Sequence, residues 1–289
     1  MRRRFGRRKR GPRPKRGKQF LRLLRVLLPL VFVLGFFFFL ITNERFLITG
    51  VVVTKAETTP EEGILDLVNT RLKGRYLFVV PKNNILLYPR SLIKRDVLEH
   101  YPAVKDVSTS FDRLRTLNLS ITEREAAYVW CPRGGPRNGR DTWQCYLTDE
   151  GGIAFRDASS VSRSAYLTFF GTWVNASSSP DSLDPTGSLV LNPRDLKIVN
   201  SFKDFLLKEG VTIDEVSLSP EEDYTFRVRG GGKLYLARSQ TIPRVTENLL
   251  AALTAEEFLP YRGKLKEVLP RLEYLDLRFD KKIFYMWKK

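Results

Sequence analysis

The 289-residue sequence contains only one histidine, two cysteines and two methionines. A single histidine, His100, leaves a Ser-His-Asp triad only one possible base, and the G-x-S-x-G nucleophile elbow is absent. His100 ends a predicted helix, where the helix dipole favours it. One histidine, with no acidic pair at helical spacing beside it, does not provide the ligands of a catalytic metal site. We therefore expect a protein without enzymatic activity, metal or other cofactor.

Two further sequence patterns could indicate an enzyme. Gly230-Gly231-Gly232-Lys233 resembles part of a phosphate-binding loop, but the glycine four residues earlier is missing. The segment also lies between two predicted strands, which favours a hairpin turn. A Ser/Lys hydrolase stays open on composition alone, because serines and lysines are plentiful.

The two cysteines, Cys131 and Cys145, close a loop of fifteen residues, counting both cysteines, that is rich in glycine and proline. This composition predicts a long hairpin loop with one cysteine at each foot. A disulfide there would stabilise the fold by about 3 kcal/mol in the chain-entropy description. Two free thiols are the alternative. A metal site is disfavoured because two sulfurs do not complete a tetrahedral shell.

Acidic residues are absent from the first 25 residues, which contain thirteen Lys or Arg. The net charge of the chain is +17, so residues 26–289 contribute only +4 (36 basic minus 32 acidic). Without apolar periodicity, residues 1–20 are expected to form a disordered basic tail. Nucleic-acid binding is an alternative, but an adjoining apolar run explains the charge equally through membrane topology.

That apolar run, residues 26–41, has sixteen residues without a charge and includes four consecutive phenylalanines. With the leucines before it, we predict a transmembrane helix at residues 21–42, about 30 Å long. The alternatives are a buried core helix and a cleaved signal peptide, which would need small residues after the run. The positive-inside rule then predicts a single-pass plasma-membrane protein, with a cytoplasmic N-terminus and extracytoplasmic C-terminal domains.

Residues 46–124 show the element order β-α-α-β-β. A strand at 46–53 precedes a helix that Thr59, Pro60 and Glu62 would cap. A second helix at 91–100 precedes strands at 104–111 and 117–122, the last with strict apolar alternation. We expect a three-stranded sheet with both helices on one face.

Residues 125–289 predict a β-rich domain with packed helices. Helical periodicity occurs at 193–208 and 241–258, and strand patterns occur at 211–218, 223–229 and 233–238. Two strands, 272–279 and 283–287, close the chain. The whole sequence is thus expected to be α+β behind a single N-terminal transmembrane helix.

Four short patterns, in this order along the chain, resemble one known family: Pro102-Ala103-Val104 with Val107, residues 116–124, residues 146–155, and residues 274–279, which include Asp276-Leu277-Arg278. The family is FtsQ/DivIB, the single-pass bacterial cell-division proteins, and residues 46–124 resemble its POTRA domain. The sequence departs from the family at Thr54-Lys55, at Ala126 and in the loop 132–142.

The resemblance implies a scaffold of the divisome, enriched at the division septum of the plasma membrane (the inner membrane of a two-membrane cell). Its partners would be division proteins of FtsB/DivIC and FtsL type, with no small-molecule substrate and no nucleic acid. The family binds its partner along the final strand, by strand addition. On this chain the resemblance places that contact at Phe279, Lys281, Ile283, Tyr285 and Trp287.

Other interpretations remain at this point. The aromatic residues near the C-terminus could simply be core, because alternation turns one face inward in any half-buried strand. Glu123 and Arg124 could form either an interdomain ion pair or a docking site. The main functional alternative is another POTRA-bearing interaction or envelope-assembly module.

Overall fold

The computed structural model describes residues 16–78, 80–112, 115–132, 144–171, 184–219, 223–261, 264–280 and 282–289. The α+β class is confirmed in this part of the chain. The helices are α1 (Arg16–Thr42), α2 (Glu61–Leu72), α3 (Arg90–His100), α4 (Pro193–Lys208), α5 (Ile242–Ala252) and α6 (Leu265–Val268). The strands are β1 (Gly50–Thr54), β2 (Arg75–Tyr76), β3 (Val80–Pro81), β4 (Val104–Asp112), β5 (Thr116–Glu123), β6 (Tyr128–Cys131), β7 (Tyr146–Thr148), β8 (Ala154–Asp157), β9 (Leu167–Phe170), β10 (Ile213–Leu218), β11 (Asp223–Val228), β12 (Lys233–Ala237), β13 (Leu272–Asp276) and β14 (Phe284–Trp287).

The predicted transmembrane helix at 21–42, and with it the single-pass location, is wrong. Within the described ranges, no helix combines the length and the apolar character that a membrane crossing requires. Helix α1 has 27 residues, but its first ten include Arg16, Lys18, Arg22 and Arg25. The uncharged residues 26–41 rise about 24 Å, which is less than the roughly 30 Å of a bilayer core. The sequence interpretation counted apolar residues across these charges.

The chain divides into two compact units. The first unit comprises the chain up to Thr54, Glu61–Ile93 and Ser108–Ser120, and the second comprises Lys55–Pro60, Lys94–Val107 and Ile121–Lys289. The predicted boundary at 124/125 stays a prediction. Residues 1–15 of the predicted tail and most of the loop 132–142 lie outside the described residues.

The predicted order β-α-α-β-β is present as β1, α2, α3, β4 and β5, with one addition between the helices. The strands form a three-stranded sheet in the order β1-β5-β4, in which β1 and β5 are parallel. Leu117, Leu119 and Ile121 of β5 are buried, as their alternation predicted. The addition is a short antiparallel hairpin, β2–β3, which the sequence analysis did not include.

The other sheet has nine strands in the order β14-β13-β12-β11-β10-β9-β6-β7-β8. The glycine turn at 230–232 joins β11 and β12, which pair antiparallel, so the predicted hairpin turn is confirmed. The apolar stripe of α4, with Val199, Phe202 and Leu206, is fully buried in the main core cluster. Val245 and Leu249 of α5 belong to the same cluster, so these helices cover the sheet as predicted.

A buried polar group in the main core is built around Asp195, in the first turn of α4. The Tyr224 hydroxyl donates to Asp195 Oδ1 at 2.5 Å. Arg238 donates to both carboxylate oxygens, at 2.9 and 2.8 Å. Burial and the neighbouring Asp195 carboxylate raise the pKa of Tyr224, so its hydroxyl stays protonated. This cluster fixes α4 to β11 and to the end of β12.

Candidate functional site

The last strand of the chain, β14, lies at one end of the nine-stranded sheet. It pairs antiparallel with β13, with Leu275 opposite Tyr285 and Asp276 opposite Phe284. Among the described strands, none pairs with its other side. An edge strand presents unpaired amides and carbonyls to which another chain can add a strand. This edge is the candidate site for a partner.

The opposite edge of the sheet, β8, is bonded to the chain's own backbone at its first residue, Ala154. The Gly187 amide donates to the Ala154 carbonyl at 2.7 Å, and the Ala154 amide donates to the Ser188 carbonyl at 3.0 Å. Ile153 and Leu189 form an antiparallel bridge beside them. β8 therefore has a backbone partner where it begins, whereas the described strands provide none for the outer side of β14.

The backbone N–H groups of β14 point alternately toward β13 and toward the open edge, and one hydrogen bond shows which residues point which way. The Lys288 amide donates to the Arg271 carbonyl at 2.9 Å and so points toward β13. Because amide directions alternate along a strand, the amides of Phe284 and Met286 also point toward β13. Those of Tyr285 and Trp287 then point to the open edge, as do their carbonyls. An added strand would bond to these two residues.

The side chains of Tyr285 and Trp287 fasten the strand to the core. Their rings lie 5.0 and 5.8 Å from the ring of Phe258, and the Trp287 ring lies 5.6 Å from that of Tyr261. Burial, with the nearby Glu257 carboxylate, raises the pKa of Tyr285. Ile283 packs against the same cluster. These contacts hold the edge in place on its inner face.

The opposite face of β14 is apolar and exposed. Phe284 and Met286 are 49% and 47% exposed, and Phe279 is 48% exposed. The rings of Phe279 and Phe284 meet edge to face at 5.3 Å. We call these three residues the outer strip. They lie beside the open edge, where a second strand could cover them.

The structure divides the five predicted contact residues. Phe279 belongs to the outer strip, whereas the side chains of Ile283, Tyr285 and Trp287 face the core and only their backbone lies at the edge. Lys281 lies outside the described residues. The sequence interpretation did not include Phe284 and Met286. Alternation separated the two faces, but it did not say which face the core would cover.

Arg278 holds the chain where it leaves β13. Its guanidinium donates to both oxygens of Asp276, at 2.9 and 2.6 Å, and to Asp223 at 2.8 Å. It also lies over the Tyr235 ring, 5.5 Å from the centroid. The hydrogen bonds that Arg278 donates to Asp276 and Asp223 raise its pKa, so it stays charged. The Asp-Leu-Arg pattern therefore has a structural role in fixing the segment that returns as β14.

Positive charge lies at both ends of the open edge. Lys282, Lys288 and Lys289 are exposed. The Lys288 ammonium donates to the Pro270 carbonyl at 2.6 Å, while Asp280, the nearest acidic residue in sequence, pairs with Arg244 at 3.3 Å. A partner segment with acidic flanks would fit these ends.

Glu123 and Arg124 are both engaged by the chain itself. Glu123 accepts hydrogen bonds from the amides and hydroxyls of Thr58 and Thr59, at 2.6 to 3.2 Å. Burial raises the pKa of Glu123, but these hydrogen bonds outweigh it and lower the pKa to about 2. Arg124 pairs with the buried Asp149. Both side chains are therefore held by contacts within the chain.

The structure joins Cys131 and Cys145 in a disulfide, with their Cα atoms 4.3 Å apart. Cys131 ends β6 and Cys145 directly precedes β7, two strands that pair antiparallel. Both cysteines are buried in a small apolar cluster with Val129, Leu147 and Phe155. The bridge therefore lies at the feet of the predicted loop.

In the described ranges, no group of three His, Cys, Asp or Glu side chains could hold a metal ion. His100 Nδ1 lies 2.9 Å from the Asp96 carbonyl oxygen of its own helix. Comparison with known proteins finds no matching family model and no matching curated protein.

Proposed function

We propose that this chain is a non-catalytic scaffold that captures an extended segment of a partner protein on β14, and that it serves bacterial cell division. One observation carries the binding mode: β14 is a sheet edge whose outward amides are open and whose outer strip is apolar. The division role is supported by the four sequence patterns that resemble FtsQ/DivIB. Its partners would be proteins of FtsB/DivIC and FtsL type.

The length and the surroundings of β14 limit the length and composition of the segment that would bind. Four residues of β14 span about 13 Å, so the added strand would be short. Tyr285 and Trp287 offer two amides and two carbonyls, each bond worth about 1 kcal/mol net. Apolar side chains that cover the outer strip must supply the rest. Acidic residues at its ends would face the lysines at residues 282, 288 and 289.

Photo-crosslinking in living cells tests this proposal. A benzoylphenylalanine at position 284 or 286 should give one shared adduct, identified by mass spectrometry as a division protein. The same residue at position 207, where Leu207 is at least as exposed on α4, serves as the matched control. The same adducts from all three positions would contradict a specific edge.

A deletion of residues 279–289 provides the second measurement. We expect it to abolish partner capture, while the three-stranded sheet keeps its fold. Normal septal recruitment of the partner by the truncated protein would exclude the edge as the binding site. An adduct from 284 that contains no division protein would preserve the edge and refute the division role.

A further inference from the structure

The most exposed large apolar side chains in the described residues are at the tip of the β2–β3 hairpin. Leu77 is 90% exposed and Phe78 is 94% exposed. They follow Tyr76, the last residue of β2, and precede β3. Side chains this exposed project from the surface and do not line a groove. Burying them would stabilise only an assembly with something outside the chain.

The backbone of this tip is also unfavourable for the residues it carries. Leu77 has φ of +47° and Phe78 has φ of +64°. Asparagine and glycine adopt this left-handed region readily, whereas leucine and phenylalanine adopt it at a cost. Two adjacent residues therefore combine strained backbone with full exposure. Such outliers concentrate where function requires the side chain.

The charged residues that flank the tip in the sequence are all basic. Residues 67–93 contain five Lys or Arg and no Asp or Glu. Lys73 and Arg75, just before the tip, are exposed. Lys82, just after β3, lies over the Tyr76 ring at 5.6 Å from its centroid. The apolar tip thus has basic residues on both arms of the hairpin.

We propose that this hairpin is a peripheral contact site for a lipid surface with anionic headgroups. Leu77 and Phe78 would enter the interface between headgroups and acyl chains, while Lys73, Arg75 and Lys82 would face the phosphates. A convex apolar tip with a basic surround suits a fluid interface, which forms its own cavity around the inserted groups. A folded protein partner would need a preformed pocket. This contact requires no helix to cross the bilayer and does not depend on the function of β14.

A site-specific probe tests the proposal on the full chain. Because α1 also exposes apolar side chains, total vesicle binding would not isolate the tip. Phe78→Cys can carry an environment-sensitive nitrobenzoxadiazole label, since the two native cysteines form a disulfide. Vesicles of phosphatidylcholine with 30% phosphatidylglycerol should shift the label's emission to the blue. Lipids with a nitroxide at a shallow acyl position should quench it, and pure phosphatidylcholine should have little effect.

Three variants complete the design. Leu207→Cys, labelled in the same way, should show no shift. Lys73→Gln and Arg75→Gln should each weaken the response at position 78 by about fivefold. In a chain labelled at Lys82→Cys, Leu77→Asn with Phe78→Gly should abolish the response without loss of folding, because these residues suit the local φ. A label at position 78 that stays in water on vesicle-bound protein would overturn the proposal. A label buried only by a protein partner would overturn it as well.

Discussion

Replacing single backbone amides of β14 by esters gives a direct test of the open edge. An α-hydroxy acid with the same side chain, inserted at position 284 or 285, removes one N–H and leaves the side chain unchanged. The amide at Phe284 points toward β13, and the amide at Tyr285 points away from it, as the Lys288 to Arg271 hydrogen bond indicates. The two variants therefore differ in which hydrogen bond they lose.

The expected magnitudes follow from one hydrogen bond. The ester at Phe284 should lower the free energy of unfolding by about 1 kcal/mol, because a ladder bond to β13 is lost. The ester at Tyr285 should change it far less, since its amide has no ladder partner among the described strands. In partner binding the order reverses: the ester at Tyr285 should weaken affinity about fivefold, and the ester at Phe284 should change it little. Each ester also weakens the carbonyl before it, so the difference between the variants carries the test.

The assays are urea unfolding for the first comparison and titration of the crosslinked partner, once purified, for the second. Hydrogen exchange adds a measurement that needs no partner. Amides at 284, 286 and 288 should exchange slowly, and those at 285 and 287 should exchange fast until a strand binds. Equal destabilisation by both esters, or slow exchange at 285 in the free protein, would refute the assignment of the open edge.

Three further results are expected. Glu123→Gln should abolish a contribution of about 1–3 kcal/mol to the free energy of unfolding. Because the folded-state pKa of Glu123 is depressed, this contribution is fully present above pH 4.5 and is lost as the pH falls toward about 2. Urea unfolding across pH 2–7 measures it, and identical pH profiles of the two proteins would contradict it. Reduction of the disulfide, or Cys131→Ser with Cys145→Ser, should lower the free energy of unfolding by about 3 kcal/mol, and unchanged midpoints with and without reductant would argue against it. Arg238→Met should lower the free energy of unfolding by about 3–5 kcal/mol, because Asp195 keeps a buried charge without its bidentate partner. Combining it with Asp195→Leu should recover part of this loss. A mild effect of the single change would show that the pair contributes little to stability.

The sequence by itself determined the features that depend on near neighbours. Alternation predicted the buried side of β5, the 3.6-residue period predicted α4, and three glycines predicted the turn between β11 and β12. The α+β class and the order of elements from β1 to β5 follow from such local signals. The same local counting failed at α1, where apolar residues were added across Arg22 and Arg25.

The tertiary structure decided the features that depend on distant residues. The open side of β14 results from the sheet order, which places β14 at an edge and pairs it only with β13 among the described strands. Phe284 faces outward and Tyr285 inward because Phe258, 27 residues earlier, packs on only one face of the strand. Composition determines which side chains would gain free energy by burial, but only the packing of remote segments decides which of them are buried.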